Sequence, residues 1–187
     1  MTTAPEIDDT ALVTASLDDP DRFTAVYDRH FPAVYRYVAG RLGAQAADDV
    51  VAETFLAAFR RRSAFDPAKG GVRPWLFGIA TNLVSQHRRT ESRRYRTLAR
   101  HGAEPDAGGH EDRVVNAVTA TGMRSDLARA LTRLPRKERD VVLLVALAGL
   151  EHAEIAAVLG VPYGTVGSRL HRARRKLRAA LPLTDGD

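Results

Sequence analysis

Apolar side chains recur every three or four residues over most of the chain, which is the period of an α-helix. In the N-terminal half this period predicts three helices, over about 21–42, about 47–62 and from Pro74 onward. Pro32 lies inside the first and is expected to kink it or divide it at Phe31, because proline lacks the N–H of a continuing helix. No alternating apolar and polar run predicts a β-strand. The pattern predicts an all-α protein.

The clearest local pattern lies near the C-terminus, over 151–178. Three apolar residues ending at Leu159 share one face of a first helix. Gly160 is expected to take the left-handed conformation that ends a helix, and Pro162 redirects the chain. Thr165 is expected to cap a second helix with its hydroxyl. The segment therefore predicts two helices joined by a tight turn.

The second helix of this pair combines an apolar seam with a basic surface. The seam repeats at intervals of four, three and four residues: Val166, Leu170, Ala173 and Leu177. The polar residues off the seam are Ser168, Arg169, His171, Arg172, Arg175 and Lys176. Guanidinium groups fit guanine edges and phosphates. The pattern favours a helix-turn-helix whose second helix enters the DNA major groove, over a helical hairpin with a solvated basic face.

The amino-acid composition indicates which kind of partner the chain binds and which reactive groups it lacks. The chain has 187 residues, a formal net charge of +5 and no cysteine, and its pI is near 10.0. An excess of basic over acidic residues favours a polyanion as the binding partner. Without cysteine there are no disulfides, thiolates or zinc–thiolate sites. No apolar run is long enough to span a membrane, and the acidic N-terminus is unlike a signal peptide, so we expect a cytoplasmic protein without membrane insertion.

Charge and turn residues divide the chain into two helical domains joined by a flexible linker. The linker centres on a stretch rich in Gly, Pro and acids, HGAEPDAGGHED, a composition typical of linkers. The predicted segments are an acidic disordered tail (1–19), an N-terminal helical domain (20–98), the linker (99–122), a C-terminal helix-turn-helix domain (123–181) and a short tail (182–187).

The third N-terminal helix carries an unusual set of side chains. Its aromatic, amide and cationic residues are Trp75, Asn82, Gln86, Arg88 and Arg89. Aromatic faces stack on unpaired bases, and amides hydrogen-bond base edges that pairing no longer hides. The alternative is that Trp75 anchors the core and the arginines form a solvated face. The residues alone leave both interpretations open.

Acidic residues crowd the start of the second helix, at Asp48, Asp49 and Glu53. Carboxylates near a helix N-terminus are favoured by the helix dipole. They could also suggest a metal or acid–base site, as in a helical metal-dependent hydrolase, but no histidine stands at helical spacing from them. We therefore expect an acidic surface, with no metal and no cofactor.

Taken in order, three segments resemble a known family. They are DDVVAETFLAAFRR, PWLFGIATNLVSQHRR and LTRLPRKERDVVLLVALAGLEHAEIAAVLGVPYGTVGSRLHRARRKL. Together they resemble the extracytoplasmic-function (ECF) sigma factors of bacterial RNA polymerase, from about Phe23 to Leu181. The resemblance implies an N-terminal domain that binds the β′ clamp and melts the −10 promoter element. It also implies a C-terminal domain that binds the β flap and reads the −35 element as duplex.

The resemblance also implies roles for particular residues. The acids Asp48, Asp49 and Glu53 would bind core polymerase. The −10 DNA would be held by Trp75, Asn82, Gln86, Arg88 and Arg89, with the loop Ala64–Arg73 capturing a flipped base. The −35 bases would be contacted by Ser168, Arg169, His171 and Arg172, with Thr165 nearby. The phosphate backbone of the DNA would be contacted by Arg174, Arg175 and Lys176. Members are often held inactive by an anti-sigma protein, so the resemblance implies such a partner, although no residue here identifies it.

Two positions depart from the family pattern. Glu151 stands where a Ser or Thr helix cap is common, and Gly167 stands where a basic residue is common. The promoter sequence therefore cannot be carried over from relatives. The leading alternative function is a stand-alone helix-turn-helix regulator, which would leave the helix from Trp75 to Arg89 unused.

Overall fold

The computed structural model describes residues 8–100 and 125–181, with side chains described for 8–94 and 126–181. All regular structure in these residues is helical, which confirms the predicted all-α class. The predicted linker, 99–122, lies outside the described residues apart from its first two, which still belong to a helix. The predicted tail 182–187 lies outside them as well.

Helices account for both parts of the described chain. The first part contains α1 (Asp9–Ala15), α2 (Phe23–Leu42), α3 (Ala44–Arg61) and α4 (Val72–Arg100). The second part contains α5 (Ser125–Arg133), α6 (Arg136–Ala146), α7 (His152–Leu159) and α8 (Tyr163–Ala180). Short 3-10 turns precede α2 and follow α3. We call these parts the N-terminal unit and the C-terminal unit.

Helix α1 packs into the N-terminal unit, so the prediction of a disordered tail over 1–19 is wrong for this helix. Leu12 and Val13 are buried. The carboxylate of Asp9 lies 2.6 Å from Nε2 of His30 on α2. Two adjacent apolar residues are too few to show a helical period, and the acids around them favoured disorder. Burial against α2 and its neighbours stabilises a segment whose composition alone would not fold.

Helices α2, α3 and α4 form the core of the N-terminal unit. Gly43 has a φ of 89° and turns the chain between α2 and α3, a conformation that glycine adopts without a Cβ penalty. The buried rings of Tyr37 and Phe77 meet edge-on at 5.4 Å. The hydroxyl oxygens of Tyr37 and Thr81 are 2.8 Å apart. These contacts fix α4, which carries the predicted −10 residues, across α2.

Pro32 does not divide the first long helix. Helix α2 runs through it from Phe23 to Leu42. Buried side chains flank the proline on both sides, with Val26 before it and Val34 after it. Their burial offsets the hydrogen bond that the proline cannot donate.

The C-terminal unit contains the predicted helix-turn-helix. Gly160 ends α7 in the left-handed conformation, with a φ of 61°, as predicted. The seam of α8 is buried at Val166, Leu170 and Ala173. The capping prediction for Thr165 is wrong, because α8 begins two residues earlier, at Tyr163. The fixed φ of a proline suits the entry to a helix, and Pro162 takes the cap position instead.

The two units pack directly on each other. Helix α4 lies against α7, and α2 contacts α6. Nη1 of Arg41 on α2 lies 2.6 Å from Oδ1 of Asp140 on α6. Nη2 of Arg136 donates a hydrogen bond to Oγ of Ser85 on α4, at 2.9 Å. Buried and half-buried polar contacts therefore join the units.

Candidate nucleic-acid interface

The polar face of α8 is the free side of a helix whose other side is buried. Exposed on it are Ser168, His171, Arg172, Arg175 and Lys176, while Thr165 and Arg169 are half-buried. The Ser168 hydroxyl donates to the backbone oxygen of Thr165 at 3.1 Å. An added Cβ at Gly167 would meet no atom within 4 Å. Helix α8 thus presents a cationic surface of the kind that enters a major groove.

Glu138 on α6 holds two of these cations. Nζ of Lys176 lies 2.9 Å from its Oε2, and Nε of Arg172 lies 3.5 Å from its Oε1. The Glu138 side chain is itself buried. No local sequence pattern predicts this role of Glu138, because its partners lie on a different helix. Glu138 thus orients Arg172 and Lys176 on the surface of α8.

An aromatic-lined cavity of about 370 Å³ lies beside the start of α4. The rings of Phe65 and Trp75 form one side of it, with centroids 5.0 Å apart. Arg61 and Asn82 also line the cavity. Sequence reasoning placed Phe65 in the base-capturing loop but did not single out Arg61. The cavity offers an aromatic face, an amide and a cation, which are the groups that an unstacked nucleotide requires.

A second groove, of about 340 Å³, runs between α3 and α4. Asn82 and Gln86 line it from α4, and Arg60 and Arg61 line it from α3. Arg61 and Asn82 therefore border both the groove and the aromatic cavity. The structure thus brings Trp75, Asn82 and Gln86 onto one continuous surface.

The two predicted phosphate contacts on α4 have different surroundings. Arg89 is exposed, whereas Arg88 is half-buried and its Nη2 donates to the backbone oxygen of Arg41 at 2.8 Å. Burial, followed by the charges of Arg41 and Arg139, lowers the pKa of Arg88 to about 9. Arg88 is therefore held against α2 within the N-terminal unit, whereas Arg89 is open to solvent.

The acidic residues of α3 form an exposed patch on the helix surface. Asp48, Asp49 and Glu53 are all exposed, and the opposite side of the helix is buried, at Val50 and Val51 for example. No group of three or more His, Asp or Glu side chains with metal-binding geometry occurs in the described part of the chain. The negative charge of this patch is complementary to a basic protein surface.

A third cleft lies between the two units, with a volume of about 890 Å³. Asn82 and Ser85 of α4 line one wall, and Arg169 and Arg172 of α8 line another. One residue predicted for −10 DNA, Asn82, thus lines the same cleft as Arg169 and Arg172, which are predicted for −35 DNA.

Comparison with known families gives two matches in chain order. A family model for sigma-70 region 2 matches residues 26–94. A family model for sigma-70 region 4 matches residues 124–177. The first match contains the aromatic cavity and the acidic patch, and the second contains the helix-turn-helix.

Individual relatives agree with these matches. The chain is 36% identical over 158 residues to the ECF RNA polymerase sigma factor SigL of Mycobacterium tuberculosis, covering 84% of this chain and 87% of SigL. It is 35% identical over 169 residues to the ECF RNA polymerase sigma factor BldN of Streptomyces coelicolor. That alignment covers 90% of this chain and 63% of BldN, so the chain spans less than two thirds of BldN. The chain belongs to the ECF sigma factors of the sigma-70 family.

Solved structures share the fold. CnrH, whose structure is known in complex with the cytosolic domain of CnrY, is 28% identical with a TM-score of 0.66, covering 91% of this chain and 95% of CnrH. RpoE of Bartonella quintana, solved in complex with the anti-sigma factor NepR, has a TM-score of 0.68 at 23% identity, covering 87% of this chain and 98% of RpoE. The second likeness concerns the fold alone. Within the described residues, no helix is long and apolar enough to cross a membrane.

Proposed function

We propose that the chain is a dissociable initiation subunit that binds core RNA polymerase and directs it to promoters. One observation carries the proposal: a cationic recognition helix and an aromatic-lined cavity occur on the same chain. Base pairs in a duplex expose edges in the major groove, whereas an aromatic cavity can receive a base only after it leaves the stack. Sites for both forms of DNA are what promoter opening requires.

Each surface then has a step in initiation. Helix α8 reads the −35 duplex through Arg169 and Arg172, and Arg174, Arg175 and Lys176 contact phosphates. The cavity at Trp75 and the neighbouring amides hold the melted −10 strand. Stacking and hydrogen bonds of about 1–3 kcal/mol per base offset the cost of unpairing.

The remaining partners follow from the same surfaces. The acidic patch at Asp48, Asp49 and Glu53 docks on the basic β′ clamp, and the C-terminal unit docks on the β flap. The polymerase performs the chemistry, so the chain itself is not an enzyme. It acts in the cytoplasm, where an anti-sigma protein holds it inactive until a signal arrives. Because the chain lacks cysteine, that signal reaches it through a partner rather than through its own thiols.

Transcription in vitro tests the proposal. Core polymerase is incubated with promoter DNA from the genome that encodes this chain, with and without the chain, and transcript 5′ ends are mapped. We expect new promoter-specific starts that require the chain. If none appear, and the chain instead gives a tight footprint on duplex DNA without polymerase, it is a stand-alone regulator.

A further inference from the structure

Helix α1 packs against the 3-10 turn Arg62–Ala64, which leads into the base-capturing loop. We propose that α1 positions this loop for base capture and that Arg62 is the positioning residue through which it acts. The inference rests on the proposed function, because it concerns how the aromatic cavity holds a base. Arg62 is not among the residues that line the cavity, so its effect on the base is indirect.

The guanidinium group of Arg62 joins the C-terminal ends of two helices. Its Nε donates a hydrogen bond to the backbone oxygen of Ser16, directly after α1, at 3.1 Å. Its Nη1 donates to the backbone oxygen of Phe59, in the last turn of α3, at 2.7 Å. The last carbonyl groups of a helix carry the negative end of the helix dipole. One cation is therefore favoured by the ends of α1 and α3 together.

An aromatic ring holds the same guanidinium group. Cζ of Arg62 lies 3.8 Å from the centroid of the Phe59 ring, and that ring meets the ring of Phe23 edge-on at 5.5 Å. The Arg62 side chain is half-buried, and a cation–π contact strengthens as it loses water. Two hydrogen bonds and one ring thus define the position of Arg62.

The backbone of Arg62 connects this position to the cavity. The N–H of Phe65 donates to the backbone oxygen of Arg62 at 3.2 Å, which closes the 3-10 turn. The ring of Phe65 then forms one side of the aromatic cavity, with its centroid 5.0 Å from that of Trp75. A displacement of Arg62 would therefore move Phe65 relative to Trp75 and change the space that a base occupies.

Helix α1 is anchored along its length, so it can fix the position of Arg62. Leu12, Val13 and Ser16 are buried, and Oγ of Ser16 donates to the backbone oxygen of Val13 at 2.6 Å. At the other end of the helix, Asp9 pairs with His30 of α2. Helix α1 has seven residues, too few for a helix that is stable by itself in water. Its packing against the rest of the unit therefore places the carbonyl that Arg62 binds.

The experiment compares promoter forks that carry or lack a single −10 base. Core polymerase with the full chain is bound to a fork of a promoter mapped with this chain, with −35 duplex and a single-stranded −10 element. An abasic site replaces each −10 base in turn. Arg62→Gln removes the cation, and Val13→Ala weakens the packing of α1 without touching Arg62. The matched control is Arg22→Gln, which removes an exposed arginine of the same unit that pairs with Asp19.

For the unaltered chain and Arg22→Gln, we expect an abasic site at one position to lower fork affinity about tenfold, within the range for stacking of one base. Arg62→Gln and Val13→Ala should each lower affinity for the intact fork by about fivefold to tenfold. Neither should cause a further loss on the fork that lacks the captured base, because effects on one contact are not additive. Affinity for a −35 duplex alone should not change.

Three results would contradict the inference. Equal losses on the intact and the abasic fork would indicate general destabilisation, which overturns the positioning role and leaves the proposed function standing. A loss with Arg62→Gln but none with Val13→Ala would overturn the role of α1. If no abasic site weakens binding of the unaltered chain, the cavity captures no base, and the proposed function fails together with the inference.

Discussion

At the scale of single residues, two of the side chains proposed to contact DNA already have a partner in the protein. Arg172 and Lys176 meet the buried carboxylate of Glu138. A cation held by one carboxylate loses less conformational entropy on binding DNA, but it must exchange that carboxylate for a base edge or phosphate. The protein therefore orients Arg172 before the base contact proposed for it.

We expect Arg172→Gln to lower affinity at particular −35 base pairs by about 1–3 kcal/mol, because a bidentate base contact is lost. Competition binding of the polymerase complex to single-base variants of the −35 element measures this. Arg174→Gln is the matched control, and it should weaken all sequences alike and reduce the salt slope by about 1. A uniform loss for Arg172→Gln would make Arg172 a phosphate contact.

Gly167 offers a test that concerns stability alone. It lies inside α8, and a Cβ added there meets nothing within 4 Å. Gly167→Ala should therefore stabilise the protein by about 0.4–1 kcal/mol, because alanine restricts the unfolded chain more than glycine does. Urea unfolding measures the change. A destabilised variant would contradict the open space found around position 167.

At the scale of elements, the sequence predicted the long helices of the N-terminal unit but not the short helix α1. Helices α2, α3 and α4 each bury several turns, so their apolar period is visible, although their first residues were misplaced by two or three positions. Helix α1 buries two adjacent side chains, which leaves no period. The start of α8 was also misplaced. Thr165 was predicted to cap this helix, but the helix begins at Tyr163, directly after the turn at Pro162.

The contribution of α1 to stability can be measured with two leucines of one segment. Leu12 is 4% exposed and Leu17 is 46% exposed. Leu12→Ala should destabilise the N-terminal unit by about 2–5 kcal/mol through lost burial and a cavity. Leu17→Ala should change stability by less than about 0.5 kcal/mol. Equal, small effects in urea unfolding would mean that α1 does not belong to the folded unit.

At the scale of the whole molecule, function requires two DNA sites at a fixed separation. The proposed function assigns one site to each unit, and linked sites gain affinity only when both can bind together. In the proposed function, polymerase docks both units and sets this separation.

Promoter spacing tests this two-site requirement. Inserting about half a helical turn, ~5 base pairs, between the −35 and −10 elements rotates one site away from its reader. We expect transcription to fall at least about tenfold, whereas an insertion upstream of −35 should have no effect. Runoff transcription with polymerase and the chain measures both templates. Equal output from all templates would show that one element suffices.

The helical class, the two units, the basic helix α8 and the aromatic residue of the proposed −10 site could all be predicted from the amino-acid sequence alone. These features depend on local period, turn chemistry and motif order, which a linear chain displays. The tertiary structure decided that α1 folds, that Arg61 joins the cavity, that Glu138 holds Arg172 and that Asp140 meets Arg41. Each of these depends on which distant side chains become neighbours once apolar faces are buried, and no local pattern contains that information.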